Sequence, residues 1–310
     1  MTQPIIVAFD GSEHGRDALV LARRFAGLLQ APLLVVYAYM PEDIFWASGT
    51  APASNEQERR AVADMVEEQL AGFEGYELRM VASTSAAGAI QLAAEESGAK
   101  LIVVGASHHG AIGRIVLGTV TQAVLDAAPC AVAIAPSGLA AENAVSFKRI
   151  GVGFDDMPEA HGALAIAREL AQRSGARLKI VWAAHLVRRT LPLAFAGYML
   201  PDYFAEVRKE IEQRLEHAAA PREGLQISTE IASGETVAAL VSRSAHLDLL
   251  VLGSRGYGPL RRVLLGSVSH AVVNDARCPV LVVGRGVSSL DRGAKDVAAG
   301  EREAMAASPR

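Results

Sequence analysis

The stretch IIVAFD at residues 5–10 decides the fold, because it returns as IGVGFD at residues 150–155. In both copies a short apolar run ends on an aspartate, Asp10 or Asp155, as is typical of a buried strand that reaches the edge of a sheet. Self-similarity at a fixed long period is the mark of a duplicated structural unit. We therefore expect two related halves, each of which opens with the same strand.

Further blocks recur downstream in the same order, so the repeat covers nearly the whole chain. The matched blocks are LIVVG at 101–105 with LLVLG at 249–253, and LGTVT at 117–121 with LGSVS at 265–269. The later block of each half leads through a cysteine, Cys130 or Cys278, into another apolar segment. We place the first domain at residues 1–140 and the second at residues 147–286, with the division near residues 138–147.

Short β-branched runs alternate with longer segments of helical period in each half. In the first half the predicted strands are Ile5–Phe9, Leu33–Tyr37, Glu77–Ala82, Leu101–Gly105 and Ala131–Ala135. Ser12 is a candidate cap for the first helix, and Asp156 followed by Pro158 is the matching signal in the second half. The strands are too apolar for either face of the sheet to be exposed to solvent, which favours parallel strands covered by helices on both faces.

The predicted fold class is α/β, with two tandem doubly wound domains of Rossmann-like or flavodoxin-like type. Each domain is expected to have its own five-stranded parallel sheet, and the two sheets should share one strand order. The repeat further predicts that the domains pair as a pseudo-dimer about a pseudo-two-fold axis. A single continuous sheet through both halves would contradict this expectation.

The composition supports this fold class and argues against several functions. Of the 310 residues, 51% are hydrophobic but only 5% are aromatic, which suits parallel strands built from Val, Leu, Ile and Ala. The formal net charge of −4 offers no basic field for a phosphate backbone, so we expect no nucleic-acid partner. No apolar stretch reaches the roughly 20 residues that cross a bilayer, and no secretory signal is evident. We expect a cytoplasmic protein without membrane association.

Three segments depart from the alternation of strands and helices. Pro41–Asn55 and Leu186–Pro201 follow the second strand of their halves and mix Pro, Gly and aromatic residues, as excursions over a pocket do. From Gly286 the chain loses its apolar period. We expect residues 287–310 to form a mobile tail.

A glycine-rich loop follows the predicted fourth strand of the second half. Its residues, up to the start of an apolar helix, include Gly253, Gly256, Gly258, Arg262, Gly266, Ser267 and Val268. Glycine lets a backbone approach a ligand closely, and the N–H groups at a helix start favour an anion. The loop is neither a Walker loop, since no Gly-Lys-Ser or Gly-Lys-Thr is present, nor a dinucleotide fingerprint, which follows the first strand. It predicts a polyphosphate site.

These residues resemble the universal stress protein family. The nucleotide-binding branch of that family carries Gly, two residues, Gly, nine residues, Gly, and then Ser or Thr. Gly253, Gly256, Gly266 and Ser267 fulfil that pattern, and Cys278-Pro279-Val280 is also similar to the family. The resemblance implies an adenine nucleotide, ATP, as the ligand.

The resemblance extends from about Ile5 to Gly284 and therefore covers two complete copies. It implies a five-stranded α/β unit in each half, with the two halves associated as a pair. It also implies that the aspartate ending the first strand, Asp10 or Asp155, helps to hold the adenosine part of ATP.

The first half keeps only part of the glycine pattern. Its matching residues are Gly105, Gly110, Arg114, Gly118, Thr119 and Val120. His108 stands where the second glycine belongs, and it can either block the phosphate path or donate a hydrogen bond to a phosphate oxygen. Arg114 and its equivalent Arg262 can meet phosphates or simply lie in solvent. We expect the first half to bind nucleotide more weakly than the second.

Simpler roles compete for several of these residues. Asp10 and Asp155 can cap the turns that follow them, although doubly wound sheets bind ligands at the carboxyl ends of their strands. No nearby carboxylate or cysteine joins His108 and His109 in a metal site, so no metal is expected. The two cysteines are expected to be small buried hydrophobic residues rather than redox groups.

The sequence offers no catalytic residue, because no general base, metal carboxylate or nucleophile stands beside the predicted phosphate loop. We therefore expect an ATP-binding stress-response or signalling module, with or without Mg²⁺, rather than an enzyme. Its partners would be the adenine nucleotide, a protein not yet identified, and a second tandem chain in a homodimer. The alternatives are a slow ATPase or adenylyl-transfer enzyme on the same fold, and a nucleotide-free scaffold.

Overall fold

Ten strands and eight α-helices are present in the part of the chain that this computed structural model describes, namely residues 3–40, 55–106, 114–141, 146–183, 200–254, 265–284 and 286–290. The first half contains β1 (Ile5–Ala8), α1 (Glu13–Leu29), β2 (Leu33–Tyr39), α2 (Asn55–Gln69), β3 (Tyr76–Ala82), α3 (Ala86–Ser97), β4 (Leu101–Gly105), α4 (Thr119–Ala127) and β5 (Ala131–Ala135). The second half contains β6 (Arg149–Gly153), α5 (Pro158–Ser174), β7 (Arg177–Ala183), α6 (Leu200–Ala218), β8 (Ile227–Ala232), α7 (Thr236–Ser244), β9 (Leu249–Gly253), α8 (Ser267–Asp275) and β10 (Val280–Val283). The α/β fold class is confirmed.

All ten strands lie in one sheet, in the order β3-β2-β1-β4-β5-β10-β9-β6-β7-β8. Within each half the strands are parallel and follow the same order, as the repeat predicts. The halves join where β5 and β10 pair antiparallel, with Ala133 opposite Leu281 at the centre. The expectation of two separate sheets is therefore wrong. All strands buried on both faces have similar apolar sequences, so the sequence does not show which strand of a half pairs with the other half.

Alternate residues of each strand face opposite sides of the sheet, and each side has its own apolar cluster. In β1, Ile5 and Val7 belong to one cluster and Ile6 belongs to the other, and none of the three has exposed surface. Helices α1, α2, α5 and α6 cover the first side, and α3, α4, α7 and α8 cover the second. Burial on both faces explains why the strand sequences are continuously apolar.

The first helix of each half begins in a different way. Ser12 is the N-cap of α1, and its hydroxyl accepts a hydrogen bond from the backbone N–H of Gly15, as predicted. In the second half the N-cap is Met157, so the prediction of an Asp156 cap is wrong. Asp156 instead adopts a left-handed conformation with φ of 65° and contacts His161. A short polar side chain tolerates that conformation, which places Asp156 in the turn before the cap.

The first residues after β10 still pack against the domain. Val287 and Leu290 are buried in the same apolar cluster as α5. Glu169 on α5 accepts hydrogen bonds from the Ser289 hydroxyl at 3.0 Å and from the backbone N–H of Leu290 at 3.3 Å. Residues 287–290 therefore pack against α5, and residues 291–310 lie outside the described part of the chain, so the mobile tail stays a prediction.

Two other predicted segments fall mostly outside the described residues. These are the expected excursions, of which only the last residues are seen, where Asn55 and Leu200 begin α2 and α6. Among the residues that the structure describes, no helix is long and apolar enough to cross a membrane.

Candidate functional site

A cavity of about 460 Å³ opens at the carboxyl ends of β1 and β4 in the first half. These two strands are neighbours in the sheet although they are not consecutive in the chain, so the cavity lies where the strand order reverses. Ligand sites of doubly wound sheets occur at this position. Residues lining the cavity include Asp10, Gly105, Gly118, Thr119 and Val120.

The second half has an equivalent cavity of about 480 Å³ at the ends of β6 and β9. Residues lining it include Asp155, Gly253, Gly266, Ser267 and Val268. The lining of each cavity therefore includes a strand-end aspartate and a glycine-capped helix start. The duplication in the sequence has produced two sites of nearly equal volume.

Glycine is the N-cap residue of the helix that follows each phosphate motif. Gly118 caps α4 and Gly266 caps α8, and neither helix has a side-chain hydrogen bond at its cap. The first N–H groups of a helix have no intrahelical acceptor, and here no cap side chain supplies one. They carry partial positive charge toward the cavity, which favours an anion there.

Two matched hydrogen bonds fix these helix starts against the strand ends. The Thr121 hydroxyl donates to the Gly105 carbonyl oxygen, and the Ser269 hydroxyl donates to the Gly253 carbonyl oxygen, both at 2.9 Å. Thr121 and Ser269 were not among the predicted site residues, although both belong to the repeated block. Their signal was the hydroxyl retained at the same position of each copy.

The strand-end glycines have a structural reason that was not foreseen. A side chain at Gly253 would place a Cβ 2.8 Å from the Glu159 carbonyl oxygen, and one at Gly105 would collide with the carbonyl of His14. Helices α1 and α5 begin so close to the sheet that only glycine fits below them. Packing therefore requires these two glycines, in addition to any approach of a ligand.

The two aspartates hold the turns before the first helices. Asp10 Oδ1 accepts hydrogen bonds from the backbone N–H and the hydroxyl of Ser12, at 3.0 and 2.5 Å. Asp155 Oδ1 accepts a weaker one from the backbone N–H of Met157 at 3.2 Å. Both carboxylates are exposed at the cavity wall, so each has acceptor capacity left for a ligand. The capping and binding roles are compatible.

The structure brings ten of the predicted site residues to the two cavities and leaves others aside. Arg114 is described, but its side chain is exposed and does not line the first cavity. Gly110, Gly256, Gly258, Arg262 and also His108 lie outside the described residues. The predicted contacts of those residues with phosphate stay predictions.

Apolar walls were missed by reasoning from motifs. Val36, Ala38 and Ile90 line the first cavity. In the second cavity the equivalent residues of Val36 and Ala38 are Val181 and Ala183. They come from the ends of β2 and β7 and from α3. Small apolar side chains at a strand end look like ordinary core in a sequence, and only the sheet order shows that they face a cavity.

The described lining of both cavities contains no Lys, Arg or His. Among the described residues no group of three His, Cys, Asp or Glu side chains could hold a metal ion. An anion in these cavities would therefore be stabilised, as far as the described residues go, by backbone N–H groups and hydroxyls.

The cysteines are buried, as expected. Cys130 is 5% exposed and Cys278 is 3% exposed, and both are free thiols. Burial raises the pKa of Cys130 to about 12 and also raises the pKa of Cys278. The thiolate, which is the reactive form, is therefore suppressed at both positions.

The helices that lead from the two cavities touch across the junction of the halves. His270 Nε2 on α8 lies 3.0 Å from Gln122 Oε1 on α4. The backbone N–H of Ile115 donates to the Ala276 carbonyl oxygen at 3.0 Å. The segment that enters the first helix start is thus attached to the second half.

Comparison with known proteins identifies a family. The sequence model described as the Universal stress protein family matches this chain twice, at residues 1–136 and 146–284. A universal stress protein of Mycobacterium tuberculosis is 28% identical over 290 residues, which cover 90% of this chain and 96% of that protein. The universal stress protein YxiE of Bacillus subtilis is 32% identical over 146 residues, which cover 44% of this chain and 99% of that protein.

Solved structures share the whole fold. A universal stress protein from Archaeoglobus fulgidus superimposes with a TM-score of 0.62 at 19% identity, covering 92% of this chain and all of that one. A putative universal stress protein from Pseudomonas aeruginosa gives a TM-score of 0.61 at 16% identity and covers 98% of each chain. At these identities the likeness concerns the fold.

Proposed function

This chain belongs to the universal stress protein family, and we propose that it binds ATP in the cavity of each half and serves stress adaptation through nucleotide-dependent interactions. The observation that carries the proposal is the pairing, in each cavity, of a strand-end aspartate with a glycine-capped helix start. The two features suit the two ends of a nucleotide.

The helix starts suit the phosphates. Gly118 and Gly266 leave the first N–H groups of α4 and α8 without a side-chain acceptor, and Thr119 and Ser267 add hydroxyl donors beside them. Backbone donors at a helix N-terminus stabilise phosphate without a lysine. This arrangement supports a polyphosphate ligand although the described lining is free of basic side chains.

The strand-end aspartates and the apolar lining residues suit the nucleoside. Asp10 and Asp155 are exposed acceptors, which match the hydroxyl groups of a ribose. Beside them the apolar residues Val36, Ala38 and Val181 offer a surface for a flat base. Cavities of 460 and 480 Å³ lie within the roughly 300–1,000 Å³ typical of small-molecule sites.

We assign binding rather than catalysis to these cavities. The titratable groups in their described lining are Asp10 in the first half and Asp155 and Glu159 in the second. Any Mg²⁺ would arrive with the nucleotide and would be held mainly by its phosphates. The bound nucleotide would then alter the surface offered to a protein partner.

The glycine pattern supports unequal sites. The second half has Gly256 in its loop, whereas the first has His108 at the matched position. A side chain there restricts the backbone and takes space that phosphate would use. We propose that the second half binds ATP more tightly than the first.

Mass spectrometry of small molecules released from freshly purified, denatured protein tests the function. We expect ATP or ADP at about one equivalent or more per chain, together with saturable binding of added ATP in calorimetry. Absence of nucleotide combined with no binding of ATP and Mg²⁺ on titration would overturn the proposal. Rapid multiple-turnover release of phosphate would replace it with an enzymatic function.

A further inference from the structure

A third cavity, of about 590 Å³, lies at the amino ends of the strands in the second half. Its walls come from the first residues of β6, β7 and β8 and from the end of α7 and the turn after it. The proposed nucleotide cavity of the same half lies at the carboxyl ends of these parallel strands, so the two cavities lie at opposite ends of the strands.

Cationic side chains dominate this third cavity. Its lining includes Arg149, Arg177, Lys179 and Arg243, together with His246. Two carboxylates oppose them, and each is already engaged. Glu230 in the lining meets Arg243 at 2.7 Å and Lys179 at 3.1 Å, and Asp248 meets Arg149 at 2.7 Å. Four permanent cations against two carboxylates leave an excess of two positive charges, in a chain whose formal net charge is −4.

Arg177 carries part of that excess. Its side chain is exposed at the start of β7, and no carboxylate among the described residues forms an ion pair with it. Asp248, the carboxylate beside Arg149, also accepts hydrogen bonds from the backbone N–H groups of Lys148 and Arg149, both at 2.8 Å. Asp248 is therefore already bonded to the start of β6. The guanidinium N–H groups of Arg177 therefore remain available to bind an external anion.

The repeat shows that the fold does not require these cations. Strand registers align Ile150 and Leu178 of the second half with Ile5 and Leu33 of the first. The same registers place Pro4, Pro32 and Leu34 in the first half at the positions of Arg149, Arg177 and Lys179. Leu34 is buried at 3% exposure and serves the core. Basic side chains thus stand at these three positions in the second half only.

The floor of the cavity is apolar and closely packed. Ile150 and Leu178 are fully buried, and Leu247 is 8% exposed. Leu247 occupies the space that a side chain at Gly151 would need. A packed floor with cations around its rim is suited to a compact ligand with an apolar or neutral body and an anionic head.

We propose that this cavity is a separate binding site for a small phosphorylated molecule, distinct from the two nucleotide cavities. Arginine forks match phosphate oxygens in pairs, and a phosphate monoester carries about two negative charges at neutral pH, which balances the excess at the site. The volume suits a small molecule. A nucleic acid would need a broad basic surface, which a chain of net charge −4 does not favour.

Pyrophosphate is a suitable probe, provided that the nucleotide cavities are first closed to it. The starting protein is the double variant Gly118→Val and Gly266→Val, which fills the two helix starts. Calorimetric titration of this protein with pyrophosphate should still show saturable binding. Adding Arg177→Gln and Lys179→Gln should weaken that binding by roughly tenfold or more, since two charge-assisted contacts are lost.

Arg208→Gln in the same background is the matched control. Arg208 is an exposed cation of α6 in the same half, paired with Glu212 and absent from the cavity lining. Its loss should leave pyrophosphate binding unchanged. A side-chain ¹⁵N spectrum should also show the Arg177 Nε–H signal, identified by its loss in Arg177→Gln, moving as pyrophosphate is added.

Three outcomes would overturn the proposal. The first is the absence of pyrophosphate binding and of any movement of the Arg177 signal in the protein with closed nucleotide cavities. The second is binding of equal strength after Arg177→Gln and Lys179→Gln. The third is an equal loss in Arg208→Gln, which would mean that general charge, and not this cavity, attracts the anion.

Discussion

The side-chain oxygen of Asn274 accepts a hydrogen bond from the backbone N–H of Leu117 at 3.1 Å, across 157 positions of sequence. Leu117 immediately precedes Gly118, the cap at the first helix start, whereas Asn274 lies near the end of α8 in the second half. The geometry of the first cavity therefore depends on a residue of the other half.

Replacing Asn274 by Ala should weaken ATP binding in the first half more than in the second. The Leu117 N–H loses its acceptor, so the segment entering α4 is less firmly held, and the free energy of unfolding should fall by about 1 kcal/mol. Calorimetry with ATP and denaturant unfolding measure the two effects. Asp126→Ala is the control, since Asp126 occupies the matched position of α4 but bonds to Gln122 within its own helix. Equal effects of the two variants would contradict the assignment.

Gly266→Val should weaken the tighter ATP site, and Gly118→Val should weaken only the weaker one. Both glycines have extended backbone, with φ of −69° and −84°, which valine accepts, so the fold should survive while the side chain obstructs the helix start. Loss of one buried hydrogen-bonding arrangement costs about 1–3 kcal/mol, or roughly 5- to 150-fold in affinity. Calorimetry distinguishes the sites.

The companion change His108→Gly should strengthen the first site if the side chain obstructs phosphate there. If Gly118→Val removed the tight site instead, the asymmetry would be reversed, and His108 would be a phosphate donor.

Asp17→Ala should destabilise the protein by about 1–3 kcal/mol, because two N–H groups lose their buried acceptor. Asp17 is 2% exposed, and its carboxylate accepts hydrogen bonds from the backbone N–H groups of Gly138 and Ala140 at 2.8 and 2.7 Å. These bonds attach the chain after β5 to α1. Denaturant unfolding gives the free energy. Asp17→Asn keeps one acceptor oxygen and should cost less, and unchanged stability in Asp17→Ala would refute this anchoring role.

Arg243→Gln should raise the pKa of Glu230. The hydrogen bond from Arg243 is the main cause that holds the pKa of Glu230 below its ordinary value of 4.5, burial opposes it, and Lys179 assists. Because the folded-state pKa is the lower one, the stabilisation is present above pH 4.5 and is lost as pH falls through the folded-state pKa. The stabilities of wild type and variant should therefore converge in acid.

A carboxyl ¹³C titration by NMR measures the pKa of Glu230 directly. Arg208→Gln, which removes an arginine from a separate exposed pair with Glu212, should leave that pKa where it is. An unchanged titration in Arg243→Gln would show that Lys179 alone is sufficient.

The sequence predicted those parts of the fold that depend on local pattern. The strand runs, the Ser12 cap and the two aspartates at strand ends are set by residues close together in the chain. The prediction for Asp156 was wrong because a short polar residue just before Pro158 is typical of an N-cap. In the structure Asp156 has a left-handed conformation in the preceding turn, and Met157 is the N-cap.

Features that depend on distant partners could not be predicted. Thr121 and Ser269 look like surface residues of a helix, and their bonds to Gly105 and Gly253 require the neighbouring strand to be in place. The burial of Leu290 likewise involves packing near Glu169, 121 positions away in the sequence, whose side chain accepts a hydrogen bond from the Leu290 N–H. In each case the decisive contact joins segments whose proximity only the folded chain defines.

The junction of β5 with β10 has a consequence during synthesis. β5 is complete at Ala135, but its partner begins only at Val280, after almost the entire second half has been translated. Until then the nascent first half presents an open strand edge, which is a template for pairing with another chain. On a polysome the nearest such edge belongs to a neighbouring copy at the same stage. The interval between the synthesis of β5 and that of β10 is therefore the stage at which the β5 edge is open to pairing with a second chain.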